Sequence, residues 1–197
     1  MGRVNCIAYT LEFYPEEGKY HFSGHRNCKV VQGPEEIKES KGICPVCRRR
    51  LTEGVLSRVQ QLSDEKLLGR AQVKKNAEGE LQWFTDKLHI QPPYAKLVPL
   101  LEIVAEGLGS TVASQKSKDM FSKLCNELDS EMNVLLKAPI TDIEKVAGEK
   151  IAEGVSKVRA GDITIDPGYD GEYGKVEIWE KGARAQKSTK AQMRFDI

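Results

Sequence analysis

Hydrophobic and polar positions divide the chain into segments of different period. Residues 3–13, RVNCIAYTLEF, mix β-branched and aromatic residues in rough alternation and predict a strand, which Pro15 and Gly18 break. Residues 20–50 hold turn formers at Gly24, Gly33, Pro34, Gly42 and Pro45. Val55, Leu56, Val59 and Leu62 then follow at helical spacing behind Thr52, a candidate cap, and predict a helix over 53–66. Residues 69–93 are polar, end in Pro92-Pro93 and read as a loop or short linker. From Tyr94 the pattern turns helical. Leu97, Leu100, Leu101, Val104, Ala105 and Leu108 form one stripe, and Gly109 is its natural stop. A second helix covers 114–128, with Met120, Phe121, Leu124 and Leu128 inward, and 141–160 is a third helical region. Residues 162–179, DITIDPGYDGEYGKVEIW, read as two strands joined by a Gly-rich turn. The basic, polar stretch 180–197 has no period and is expected to be a mobile tail.

Composition narrows the class. The 197 residues carry 30 Lys+Arg against 29 Asp+Glu, so any basic surface must be local. No apolar run approaches a membrane span. Met1-Gly2-Arg3-Val4-Asn5-Cys6 lacks an apolar signal region, and Cys6 stands where myristoylation at Gly2 would want Ser or Thr. The expectation is a soluble, cytoplasmic protein. Five cysteines are an odd count for a disulfide scaffold. Cys6 and Cys125 are solitary, whereas three others cluster with a histidine, and clustered thiols in a reducing compartment more often bind metal.

That cluster is His25-x2-Cys28, fifteen residues, then Cys44-Pro45-Val46-Cys47. Each short pair can wrap a metal with one tight turn, and two N/S pairs suit a structural, tetrahedral Zn2+. His21 is a rival fourth ligand to His25. Four protein ligands leave no open position for water, which argues against a catalytic zinc. Arg48 stands where a small residue such as Gly often follows the second Cys. Arg26, Lys29, Arg48, Arg49 and Arg50 surround the site as a solvated face or a phosphate-contacting patch. The expected fold class is α+β: a small zinc-ribbon module followed by a mostly α-helical domain ending in a β-hairpin. The expected divisions are 1–66 (strand, zinc module and helix), 67–93 (connection), 94–179 (helical domain and hairpin) and 180–197 (tail).

Several stretches carry a family resemblance. Tyr14-Pro-Glu-Glu-Gly-Lys-Tyr-His21, Gly24-His-Arg-Asn-Cys28, Cys44-Pro-Val-Cys47, Leu51-Thr-Glu-Gly-Val55, Pro99-Leu-Leu-Glu-Ile103 and Pro167-Gly-Tyr-Asp-Gly-Glu-Tyr-Gly174 are the stretches concerned. Together, over about residues 11–178, they resemble the C-terminal half of endonuclease Q-like proteins of archaea and some bacteria. Those proteins begin with a polymerase-and-histidinol-phosphatase (PHP) phosphoesterase domain and nick DNA 5′ to deaminated bases and abasic sites. A similar segment to 167–174 occurs near superfamily-one helicases. The resemblance implies a DNA repair role. PHP sites use His-x-His pairs, and this chain has only His21, His25 and His89 and no such pair. Nuclease activity is therefore not expected of it alone, and a separate PHP nuclease domain, a repair protein or a helicase protein is the expected partner.

Two elements are candidates for DNA contact. Ile140–Val155 resembles a helix-hairpin-helix half, with Gly148 as its clear glycine and Lys145, Lys150, Lys157 and Arg159 as added charge. Such a hairpin offers backbone amides to a phosphate. A plain amphipathic helix pair explains the same periodicity. In Gly168–Gly174, Asp170-Gly171 is a preferred hairpin turn, and the tyrosines can simply pack. The functional alternative is a deaminated-base pocket, with Asp170 accepting from the base and Tyr169 or Tyr173 stacking on it. A protein-interaction scaffold for a repair or helicase complex is the alternative function.

Overall fold

The computed structural model describes residues 7–63, 71–75, 81–88 and 90–179; the expected tail 180–197 lies outside them. In chain order the elements begin β1 (Thr10–Glu12), β2 (Ser23–His25), β3 (Val30–Gln32), α1 (Pro34–Ser40), α2 (Val55–Leu62), β4 (Ala71–Lys75), β5 (Gln82–Asp86) and β6 (Tyr94–Lys96). They continue α3 (Leu100–Gly107), α4 (Gln115–Glu127), α5 (Glu131–Leu136), α6 (Ile140–Ala147), α7 (Glu149–Ala160), β7 (Thr164–Asp166) and β8 (Lys175–Glu177). The class is α+β, with the Cys/His cluster toward the N-terminus and a β-hairpin toward the C-terminus.

The chain forms two compact units interleaved along the sequence: Met1–Phe13 with Gln72–Ile163, and Tyr14–Ala71 with Thr164–Ile197. This differs from the linear division expected from the sequence. β1 runs parallel to β6, Thr10 opposite Tyr94 and Glu12 opposite Lys96, which places the first strand in the helical unit. The amides of Gly168 and Gly174 donate to Glu16 O (2.8 Å) and Glu17 O (3.0 Å), which places the late hairpin in the Cys/His unit. Pairings this distant in sequence leave no mark on local periodicity.

The helical unit carries a sheet of order β1-β6-β5-β4. Residues 69–93, expected as loop, contain β4 and β5. Every residue of β5 is half-buried, so the alternation that marks a strand is missing there. Phe84 lies opposite Tyr94 and stacks on it at 4.9 Å. The helix expected from Tyr94 starts only at Leu100. Pro99 keeps Val98 out of helical geometry, and Leu97 and Val98 reach the core as extended chain. Ser114 caps α4 as its side chain accepts from the Ser117 amide (3.2 Å). Leu124 is fully buried, while Met120, Phe121 and Leu128 are half-buried. α5 was not foreseen, because six residues are too few to show a period; Ser130 caps it by accepting from the Asn133 amide at 3.2 Å.

In the Cys/His unit, β2 and β3 form a short antiparallel hairpin, Gly24 opposite Val31. α1, also not foreseen, starts at Pro34, with the Glu36 carboxylate accepting from the Gly33 amide (2.7 Å). α2 lies inside the predicted 53–66, but Thr52 does not cap it; Gly54 is the capping position. The leading amides of α2 are satisfied by neighbouring chain instead. Val55 N–H donates to Tyr20 O (2.7 Å), Leu56 N–H to His21 O (3.1 Å) and Gly54 N–H to Ser23 Oγ (2.9 Å). A Cβ at Gly54 would collide with the Phe22–Ser23 backbone, so glycine sets this close approach. Ser57 then faces inward, its Oγ 3.0 Å from that of Ser23. Val55, Val59 and Leu62, at helical spacing, face outward and are 58, 56 and 70% exposed. Among the described residues no helix is long and apolar enough to cross a membrane.

Candidate metal centre and nucleic-acid surface

His25 ends β2, and a 3-10 turn over Arg26–Cys28 brings the Cys28 thiol back beside it. The second pair sits in a small hairpin. Ile43 bridges to Arg50, Cys44 N–H donates to Arg49 O (2.8 Å), and Arg48 N–H donates to Cys44 O (2.9 Å). The four ligand atoms of His25, Cys28, Cys44 and Cys47 converge to within 4.8 Å of one another. His25 faces the cluster with Nδ1, 3.2 Å from Cys47 Sγ. A tetrahedral zinc with Zn–S bonds of about 2.3 Å would hold its sulfurs about 3.8 Å apart, so the group can hold a metal ion and its donors suit zinc. His21 is excluded from this cluster. It is 8% exposed and stacks on Phe22 at 5.3 Å, while the His25 ring nitrogen is the one that lies with the three thiols.

The thiols differ in acidity. Burial pushes Cys28 up, hydrogen bonds with the Cys47 and Cys44 thiols add to this, and it reaches about 11. Burial also raises Cys44, but the Cys47 amide, His25 and the Val46 amide outweigh it and leave the thiol at about 6. The turn amides and the His25 side chain thus favour the thiolate form of Cys44.

The residue after each ligand pair is left-handed: Lys29 has φ 52° and Arg48 has φ 63°. Glycine adopts this conformation freely, whereas other residues carry about 1 kcal/mol of strain. The missing glycine at position 48 therefore did not alter the turn; Arg48 adopts its geometry. Arg26, Lys29, Arg48, Arg49 and Arg50 are all exposed, so the basic face around the cluster is on the surface.

The other candidates divide between the units. Gly148, with φ 86° and ψ 164°, is the single residue joining α6 to α7, and its amide donates to Glu144 O (2.8 Å). Lys150 and Lys145 pair with Glu153 (2.9 Å) and Asp142 (2.6 Å). Arg159, expected as added surface charge, is 2% exposed. Its guanidinium donates to Leu135 O (3.1 Å), Val134 O (2.8 Å) and Ala138 O (2.7 Å) and satisfies the end of α5.

The Pro167–Gly174 segment lies in the Cys/His unit. Asp170 (φ 44°) and Gly171 (φ 88°) form a tight turn in which Tyr169 and Glu172 exchange both backbone hydrogen bonds (3.1 and 2.8 Å). Asp170 is not an open acceptor. Oδ2 accepts from the Arg26 amide (2.8 Å) and Oδ1 from the Thr52 hydroxyl. Burial raises its pKa, but these two donors and the nearby His25 and Arg26 charges hold it below the usual carboxylate value. The Tyr169 ring packs on Gly24. Tyr173 is 71% exposed, with Lys19 Nζ 4.5 Å from its ring centre. Lys19 and Tyr20 were not singled out from sequence, and Thr52 was read only as a helix cap. Lys19-Tyr20 lies inside the Tyr14–His21 stretch, but nothing local shows that Tyr20 OH and Arg26 Nη1 both reach the turn at Gly171.

Residues 99–162 match the family described as the MJ0043 C-terminal domain. The uncharacterized protein MJ0043 of Methanocaldococcus jannaschii is 31% identical over 174 residues, 88% of this chain and 20% of that protein. The fold is similar to the crystal structure of the lesion-specific endonuclease PfuEndoQ from Pyrococcus furiosus. That likeness has a TM-score of 0.65 at 27% identity and covers 90% of this chain and 39% of that one. A second crystal structure, endonuclease Q with a 27-mer duplex substrate carrying an abasic lesion at the active site, gives 0.63 at 27% identity over 92% and 41%. The chain thus spans a fifth of the curated relative and about two fifths of the endonuclease Q chains. The similarity is thus to a part of the endonuclease Q fold, and in this chain that part includes a Cys/His group that could hold a metal ion.

Proposed function

We propose that this chain is a DNA-binding, lesion-recognition module of endonuclease Q type, ordered by a structural zinc and non-catalytic without a separate PHP phosphoesterase domain. The observation that carries this reading is the likeness to endonuclease Q over 90% of the chain at 27% identity. The chain covers about two fifths of such an enzyme. The exposed arginines and lysine beside the cluster supply phosphate contacts, which position a duplex without reading its sequence. The Gly148 amide is taken by Glu144 O, and the start of α7 just after it offers backbone donors of the kind that suit a phosphate. The test is binding of the zinc-loaded chain to a duplex with one abasic site or one deoxyuridine. Arg48→Ser, Arg49→Ser and Arg50→Ser together should weaken binding, and multiple-turnover nicking by the chain alone would overturn the non-catalytic part.

A second reading, a protein-interaction scaffold in a repair or helicase-related complex, is favoured by one observation. The apolar stripe of α2, Val55, Val59 and Leu62, faces away from its own core. A repair or helicase protein that copurifies after nuclease treatment, and is lost with Val59→Ser and Leu62→Ser, would support it.

A further inference from the structure

The turn at Asp170 grips the two residues on either side of His25. On one side, the Tyr169 ring occupies the space where a side chain at Gly24 would project. On the other, Asp170 Oδ2 accepts from the amide of Arg26 at 2.8 Å. The other carboxylate oxygen takes the Thr52 hydroxyl, and Thr52 is itself paired with Gly24 by two backbone hydrogen bonds of 2.9 Å each. One side chain therefore ties the chain just after His25 to the strand that follows Cys47. In the second pair, the Val46 and Cys47 amides turn inward to Cys44 sulfur. In the first pair, Arg26 stands where the second has Pro45, which carries no N–H, and the Arg26 amide is taken by Asp170.

We infer that Asp170 is a positioning residue for the metal centre, so that zinc binding and the seating of the Pro167–Gly174 turn are one linked equilibrium. This rests on the zinc reading of the cluster, but not on DNA binding. Oriented outer groups of this kind hold first ligands in place, and their loss typically costs metal affinity about 10–100-fold. The linkage is reciprocal. A metal that holds His25 also fixes Gly24 and Arg26, the surfaces on which the turn sits, and removal of the metal loosens the turn. Because the turn carries Tyr173 and lies beside Arg26 and Tyr20, metal occupancy would set the order of that surface.

The experiment uses the full 197-residue chain and Zn2+. Zinc affinity is measured by competition with a chromophoric chelator for the unmodified chain, Asp170→Asn, Asp170→Ala and, as a control, Tyr173→Ser. Amide exchange of residues 168–174 is followed with and without Zn2+ in the unmodified chain, so the outcome does not depend on any variant folding. The expected results are at least about tenfold weaker zinc binding for Asp170→Ala, with Tyr173→Ser unchanged, and at least about tenfold faster exchange of the 168–174 amides without zinc. Co2+ substitution should keep a tetrahedral spectrum in Asp170→Asn, with weaker affinity. Zinc affinity of Asp170→Ala within twofold of the unmodified chain, or exchange indifferent to zinc, would overturn the inference. A chain that takes up no zinc would overturn the reading of the cluster itself.

Discussion

The ring of Tyr169 lies so close to Gly24 that a Cβ at position 24 would come within 3.0 Å of ring carbon Cδ2, and as close to Val30 O. Both neighbours are held, the ring by the Asp170 turn and the carbonyl by the hairpin. Gly24→Ala should therefore destabilise the Cys/His unit by about 1–3 kcal/mol, as overpacking does. Urea unfolding of the zinc-loaded chain measures this, and a neutral result would mean that the turn shifts freely.

Arg159 should be among the costliest side chains to lose. Its guanidinium serves three carbonyls at the end of α5 from a buried position. Arg159→Met leaves those acceptors in an apolar setting, at about 1–3 kcal/mol for an unsatisfied group, and should lower stability by at least about 3 kcal/mol. Arg159→Lys should recover little of this, because one ammonium cannot reproduce the planar fork. Full rescue by lysine in urea unfolding would show that charge alone matters.

Lys29 and Arg48 hold left-handed backbone beside the metal ligands. Lys29→Gly and Arg48→Gly should each stabilise the chain by roughly 1 kcal/mol. Each should also weaken DNA binding and lower the salt slope by about one. Stabilisation with unchanged DNA affinity would leave these two cations without a role in phosphate contact.

The stripe on α2 gives the opposite expectation from a buried one. Val59→Ser and Leu62→Ser should alter stability by less than about 0.5 kcal/mol each, since both side chains are more than half exposed. A loss of 2 kcal/mol or more for either change would place the stripe in a core.

The sequence made the metal cluster legible because ligand spacing is a local property: two residues lie between His25 and Cys28, and two between Cys44 and Cys47. The Asp-Gly turn was legible for the same reason, since positive φ at Asp170 and Gly171 suits those residue types. What could not be read was long-range. That Asp170 meets Arg26 and Thr52, 144 and 118 positions away, follows from how the hairpin packs and not from its composition. The direction of α2 was hidden because apolar spacing marks a face without saying which way it points; Gly54 and Ser57 decide that. β5 was missed because all its residues are equally half-buried. The fate of Arg159 was missed because sequence counts charge without counting burial.

The measurement that tests the account most directly is a salt titration of DNA binding by the zinc-loaded chain. A labelled duplex with one abasic site is compared with its intact counterpart between about 50 and 200 mM salt, where each phosphate contact contributes a slope near −0.9 in log K against log salt. The account predicts binding that falls steeply with salt, is tighter for the abasic duplex and is lost when zinc is removed. Equal affinity for both duplexes, or binding indifferent to salt and to zinc, would contradict it.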